Sequence, residues 1–121
     1  MNFLALGCLF AGTSVALGAF GAHGLKSILS QESLQTFEVG VRYQMYHSLA
    51  LIGIGILSKT FPNLNFQIEG IGMLVGILFF SGSLYGLAMG GPRILGPITP
   101  LGGSLWLISW GLLTWKCWQQ T

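Results

Sequence analysis

Five side chains able to carry charge or hydrogen bonds crowd one stretch of an otherwise apolar chain: Glu38, Arg42, Tyr43, Tyr46 and His47. On a helix Glu38 and Arg42 are i and i+4, the order that favours an ion pair, and Tyr43 and His47 are stacked in the same way. At about 100° per residue the five spread over an arc of about 180°. That is too broad for one narrow ligand site, but wide enough to touch two neighbouring helices. Two uses fit the set. In one, the cluster lines a proton, ion or solute pathway, with histidine as the relay. In the other, Glu38 and Arg42 pair at a membrane boundary, Tyr43 and Tyr46 join an aromatic belt, and His47 donates to a backbone carbonyl. His23, across a short loop, could approach Glu38 or Arg42, or serve the C-terminal dipole of the first helix. No HxxxH-like spacing points to a metal. With no Ser-His-Asp set and no paired carboxylates, no catalytic residue and no cofactor are expected.

A second unusual segment, Gly96-Pro97-Ile98-Thr99-Pro100-Leu101-Gly102-Gly103, is apolar yet rich in helix breakers. Such backbone is tolerated at membrane depth only when buried in protein or lining water. With Thr99 as N-cap and Pro100 at the first helical position, the helix N-terminus near Thr99, Gly102 and Gly103 would offer free N–H groups as an anion or backbone site. The plainer reading is a tight interfacial turn into the last helix.

The elements that must position these residues follow from composition. Of 121 residues, 52% are hydrophobic and 7% charged, with five Lys and Arg, three acids and no aspartate. A soluble domain carries about a quarter charged residues, so an integral membrane protein partnered by the lipid bilayer is expected. The five cations are scattered, which excludes the basic footprint of a nucleic-acid binder. A hydrocarbon core of about 30 Å needs roughly 20 apolar residues. The intervals between charges supply four spans, near residues 3–22, 39–59, 70–89 and 99–118. The second has only 16 residues between Arg42 and Lys59, so Arg42, with Glu38, must sit at or just inside the boundary. The first span lacks the cationic n-region of a cleaved signal and reads as retained. The expected fold is an all-α, integral membrane four-helix bundle with short loops and both termini on the same side.

Because lipid removes the hydrophobic incentive for helices to associate, small residues that let backbones approach must supply much of the attraction. Ser14 and Gly18, Gly72 and Gly76, and Gly82 and Gly86 recur at four-residue spacing and are the expected packing positions. They serve either one bundle or an interface with a second copy or another membrane protein.

The chain also resembles a known group, the YgdD-like small four-helix membrane proteins, a family that includes animal members. The likeness is carried in order by Gly18-Ala19-Phe20-Gly21-Ala22-His23-Gly24-Leu25, Arg42-Tyr43-Gln44-Met45-Tyr46-His47, Phe80-Ser81-Gly82-Ser83-Leu84-Tyr85 and the Gly96–Gly103 segment. The resemblance implies a multi-pass protein of the bacterial plasma membrane and brings no activity, substrate or cofactor with it. Two functions fit: a small pathway component built on the second helix, or an assembly partner in a membrane complex.

Overall fold

Backbone placed in hydrocarbon must satisfy its own N–H and C=O groups, and this chain does so as four successive helical rods. The computed structural model describes residues 1–120. The first rod is α1 (Phe3–Phe20), prolonged by a π-helical turn at Gly21–Leu25. The second is α2 (Gln31–Thr60). The third joins α3 (Gln67–Gly76), a π-helical turn at Ile77–Ser81 and α4 (Gly82–Ala88), and the fourth is α5 (Leu95–Gln120). Two rods, Phe3–Leu25 and Gln67–Ala88, are long and apolar enough to cross a membrane.

Local chemistry sets the ends. Asn2 accepts from the Ala5 N–H, Ser30 from the Ser33 N–H and Asn65 from the Gln67 N–H, each quenching a free donor of a first turn. Gly90, at φ 87°, closes α4, with the Gly91 N–H reaching back to the Gly86 carbonyl. This is the left-handed ending that glycine adopts without strain. The last rod differs from expectation. α5 begins at Leu95, so Thr99 is not its cap and Pro100 lies inside the helix. Pro97, in the first turn, loses nothing by lacking an N–H. The helix N-terminus is therefore displaced from Thr99, Gly102 and Gly103, and the anion-site reading of those residues falls with it.

α2 packs against α1 on one side and against α3, the second π turn and α4 on the other, while α5 lies against the third rod. Leu4 meets Gly55, Phe3 meets Gly70, and Lys116 reaches the Asn65 carbonyl. The two ends of the described chain thus share one end of the bundle with the α2–α3 loop.

The glycines explain how close the rods come. A Cβ at Gly76 would collide with the Trp106 indole and one at Gly72 with Ser109 Oγ, while one at Gly102 would lie 2.5 Å from the Phe80 backbone nitrogen. Ser14 is buried and Gly18 touches Val41, as packing positions should. Gly86 has only the tip of Leu95 beside it. Gly82 departs from expectation: a Cβ there meets nothing within 4 Å, because the π turn before it rotates that face outward. Gly7, Gly40, Gly55 and Gly70 make close contacts that four-residue repetition did not single out.

The ion pair also lies elsewhere. Glu38 and Arg42 are both exposed and do not pair; the salt bridge found among the described residues joins Glu69 and Lys116. Glu69 is wholly buried at the start of α3, where its charge suits the positive end of the helix dipole. Its Oε1 lies 2.6 Å from Lys116 Nζ, yet neither carboxylate oxygen has an aligned hydrogen-bond donor, so the contact is one of charge. Lys116 also donates to the Asn65 carbonyl and stands 5.5 Å from the Phe66 ring centroid.

Two stability predictions follow from this packing. Gly76→Leu should destabilise the bundle by about 1–3 kcal/mol through overpacking. Gly82→Leu should fall within about 1 kcal/mol of wild type, because the space is open and glycine is a poor helix former; thermal melts in one detergent compare the two. Lys116→Ala should cost about 2–3 kcal/mol, since it leaves a buried carboxylate alone, and the double variant Glu69→Gln/Lys116→Ala should recover part of that loss.

Candidate functional site

The key to the site is a residue on the opposite face of α2 from the charged cluster. Gln44 is buried, and each of its polar atoms is engaged. Its amide nitrogen donates to the Phe10 carbonyl and to Thr13 Oγ1, both at 2.9 Å, and its Oε1 accepts from the Tyr85 hydroxyl at 2.6 Å. One side chain therefore ties α2 to both α1 and α4. Ser48 below it donates to the Gln44 carbonyl, and Ser81 in the second π turn donates to the Gly40 carbonyl at 2.7 Å. The signal in the sequence was Gly40, Gln44 and Ser48, a small or polar residue every four positions. It marks the face that the rest of the bundle covers.

With Gln44 turned inward, the helical wheel distributes the expected cluster. Tyr46 points away from the core and is 51% exposed. Glu38 and Arg42 fall towards α1, where they border a groove of about 280 Å³ with Gly18, Gly21, Phe37 and Val41. Tyr43 and His47 fall towards α5. His23 lies exposed in the first π turn, and no hydrogen bond, ion pair or ring contact joins it to the cluster among the described residues.

On the α5 side the rings assemble. His47 lies flat on Trp106, ring centroids 3.6 Å apart and planes within 2°. Tyr43 is nearly parallel to the same indole at 6.0 Å, and Phe80 tilts against it at 4.7 Å. His47 Nδ1 is 2.8 Å from the Tyr43 carbonyl, and its Nε2 accepts from Trp110 Nε1–H at 3.1 Å. A carbonyl can only accept and an indole N–H only donate, so these partners assign a neutral imidazole with its proton on Nδ1. Trp106 spends its own N–H on the Met73 carbonyl at 3.1 Å. These rings line a cleft of about 560 Å³ whose far wall is Pro100, Gly103, Ser104 and Leu107. Leu107 and Trp110 are 76% and 44% exposed, so the cleft opens on the outer surface of the bundle.

The π turn at Ile77–Ser81 shapes this cleft. It presses the backbone at Phe80 against Gly102 and directs the Phe80 ring towards Trp106. Thr99 hydrogen-bonds Ser83 across the third and fourth rods, and Gly103 lines the wall. The segment singled out for its helix breakers thus contributes to a site by shape rather than by free N–H groups. Trp106 and Trp110, four residues apart on one helix face, a spacing that suggests a ligand box as well as plain packing, are joined to the site by His47 and Phe80.

Comparison with known proteins places the chain. A family described as protein of unknown function (DUF423) matches residues 17–103. The UPF0382 membrane protein of Staphylococcus saprophyticus is 49% identical over 111 residues, covering 92% of each chain. The UPF0382 membrane protein YwdK of Bacillus subtilis is 44% identical over 109 residues, covering 89% of each. A UPF0382 membrane protein of Haemophilus influenzae is 43% identical over 109 residues, covering 90% of this chain and 87% of its own. No solved structure matches. The all-helical fold, the two long apolar rods and these similarities agree, and the chain belongs to the DUF423/UPF0382 family of membrane proteins.

Proposed function

We propose that the protein is a multi-pass binding protein of the bacterial plasma membrane, all four rods crossing the bilayer, that holds a flat, lipid-soluble molecule in the cleft between α2 and α5. The YgdD-like resemblance belongs to the same reading. The observation that carries it is the set of rings around His47. Their π-faces, the apolar wall of Pro100 and Leu107, and a volume within the usual range for small-molecule sites suit a planar ring. Among the described residues the Tyr43 hydroxyl has no hydrogen-bond partner, so it is free to donate to a carbonyl on that ring. A quinone-like molecule has this chemistry.

The engagement of the interior favours binding over conduction. Gln44 and His47 have their polar ring and amide atoms committed to neighbouring helices or backbone, and such bonds would have to break for water or an ion to pass between the rods. A second reading, an assembly partner, is favoured by the sideways opening of the cleft, into which an aromatic side chain of another membrane protein would fit.

The test uses the protein's own tryptophans. A short-chain naphthoquinone titrated into nanodiscs should quench fluorescence along a saturating curve. Gly103→Leu, which fills the cleft where only the Phe80 ring stands near, should weaken that saturation about tenfold, equivalent to about 1.4 kcal/mol. Quenching that rises linearly and equally in both proteins would mean partition into lipid alone and would end the quinone reading.

A further inference from the structure

We propose that the seam between α1 and α2 is a phospholipid site, specific for a headgroup that carries a primary amine. Two recesses lie end to end along this seam and share Glu38. One, about 280 Å³ and mostly apolar, is walled by Gly18, Gly21, Phe37 and Val41 with Arg42 at its edge. The other, about 390 Å³ and towards the α1–α2 loop, is more polar and is bordered by Ala22, Lys26 and Gln31. An apolar recess continued by a polar one towards the end of the bundle is the profile of an acyl chain and its headgroup.

The order of the charges selects the headgroup. Val41 packs on Gly18 and Phe37 on Gly21, so Arg42 lies about level with Gly18 and Glu38 stands one turn, about 6 Å, nearer the membrane surface. A phospholipid presents its phosphate on the inner side and, in an ethanolamine ester, its ammonium outward, separated by an oxygen and two carbons. Arg42 meets the phosphate, and Glu38, one turn away along the seam, meets the ammonium. Both residues are exposed, and neither has an ion-pair partner among the described residues. Charges beside an apolar groove are costly without one. An anionic headgroup without an amine would satisfy Arg42 but leave Glu38 facing like charge, and a choline ammonium has no N–H to donate to the Glu38 carboxylate, whereas the ethanolamine zwitterion satisfies both. Lys26, at the mouth, remains in water. Guanidinium suits phosphate geometry better than ammonium does, so the inner position is the one at which arginine matters.

The experiment is native mass spectrometry of the protein released from nanodiscs containing equal mole fractions of phosphatidylethanolamine, phosphatidylglycerol and phosphatidylcholine of matched chains. Wild type should retain phosphatidylethanolamine at least fivefold over either other lipid. Glu38→Gln should abolish that preference while leaving phosphatidylglycerol retention intact or raised. Arg42→Gln should reduce retention of phosphatidylethanolamine and phosphatidylglycerol alike. Arg42→Lys keeps the charge and should retain lipid even where the glutamine variant fails to fold. Equal retention of the three lipids by wild type, a preference for phosphatidylglycerol, or an unchanged preference in Glu38→Gln would overturn the proposal. Because the seam lies on the opposite side of α2 from the aromatic cleft, either result leaves the quinone titration independent.

Discussion

The arrangement of this bundle hangs on the burial of one amide. Gln44 sits in an apolar interior where an unpaired polar group is expensive, and it finds its partners on α1 and α4 at once. That requirement allows one rotation of α2 about its axis. Turn the helix by a third of a revolution and the amide faces lipid or hydrocarbon with nothing to bond. Everything else on α2 inherits the chosen angle: His47 and Tyr43 meet the rings of α5, Glu38 and Arg42 flank α1, and Tyr46 looks outward.

Glycine supplies the second constraint, distance. Trp106 can serve as the plate on which His47 lies only because Gly76 and Gly102 let the third and fourth rods approach to backbone contact. The π turn at Ile77–Ser81 adds one more adjustment, shifting the face of the third rod so that Ser81 bonds α2 while Phe80 enters the cleft. Close approach and a local change of helical phase together build an aromatic pocket out of segments that are each ordinary membrane helix. At the far end, Glu69 and Lys116 hold the beginning of the third rod to the end of the fourth, so the rods that form the cleft are tied beside the chain ends as well as at its wall.

α2 then divides the molecule into two outer surfaces of different chemistry. Towards α5 the surface is aromatic and nearly uncharged, suited to a ring dissolved in the hydrocarbon. Towards α1 it grades from apolar to doubly charged, suited to an amphiphile standing at the boundary.

The sequence by itself determined the class and the count of rods, because membrane thickness converts directly into apolar length and charge is excluded from that length. A serine cap for α2, at Ser30 or Ser33, was legible for local reasons, and Ser30 takes it. The start of α5 was not, since Thr99-Pro100 makes a good helix opening in isolation, whereas in the bundle, packed against Ser83 and Phe80, five more residues join the helix. The cluster on α2 was visible as composition, but of the two uses it offered the Glu38–Arg42 pair is not made, because i,i+4 spacing states what can meet and not what does. Which side of α2 is buried, that Gln44 rather than any charged residue anchors it, that Glu69 finds Lys116 47 positions away, and that Trp106 and His47 stack were decided by tertiary structure alone. The physical reason is that helices in lipid are matched by mutual satisfaction of a few polar groups and by steric fit at glycine, and both depend on partners remote in the chain.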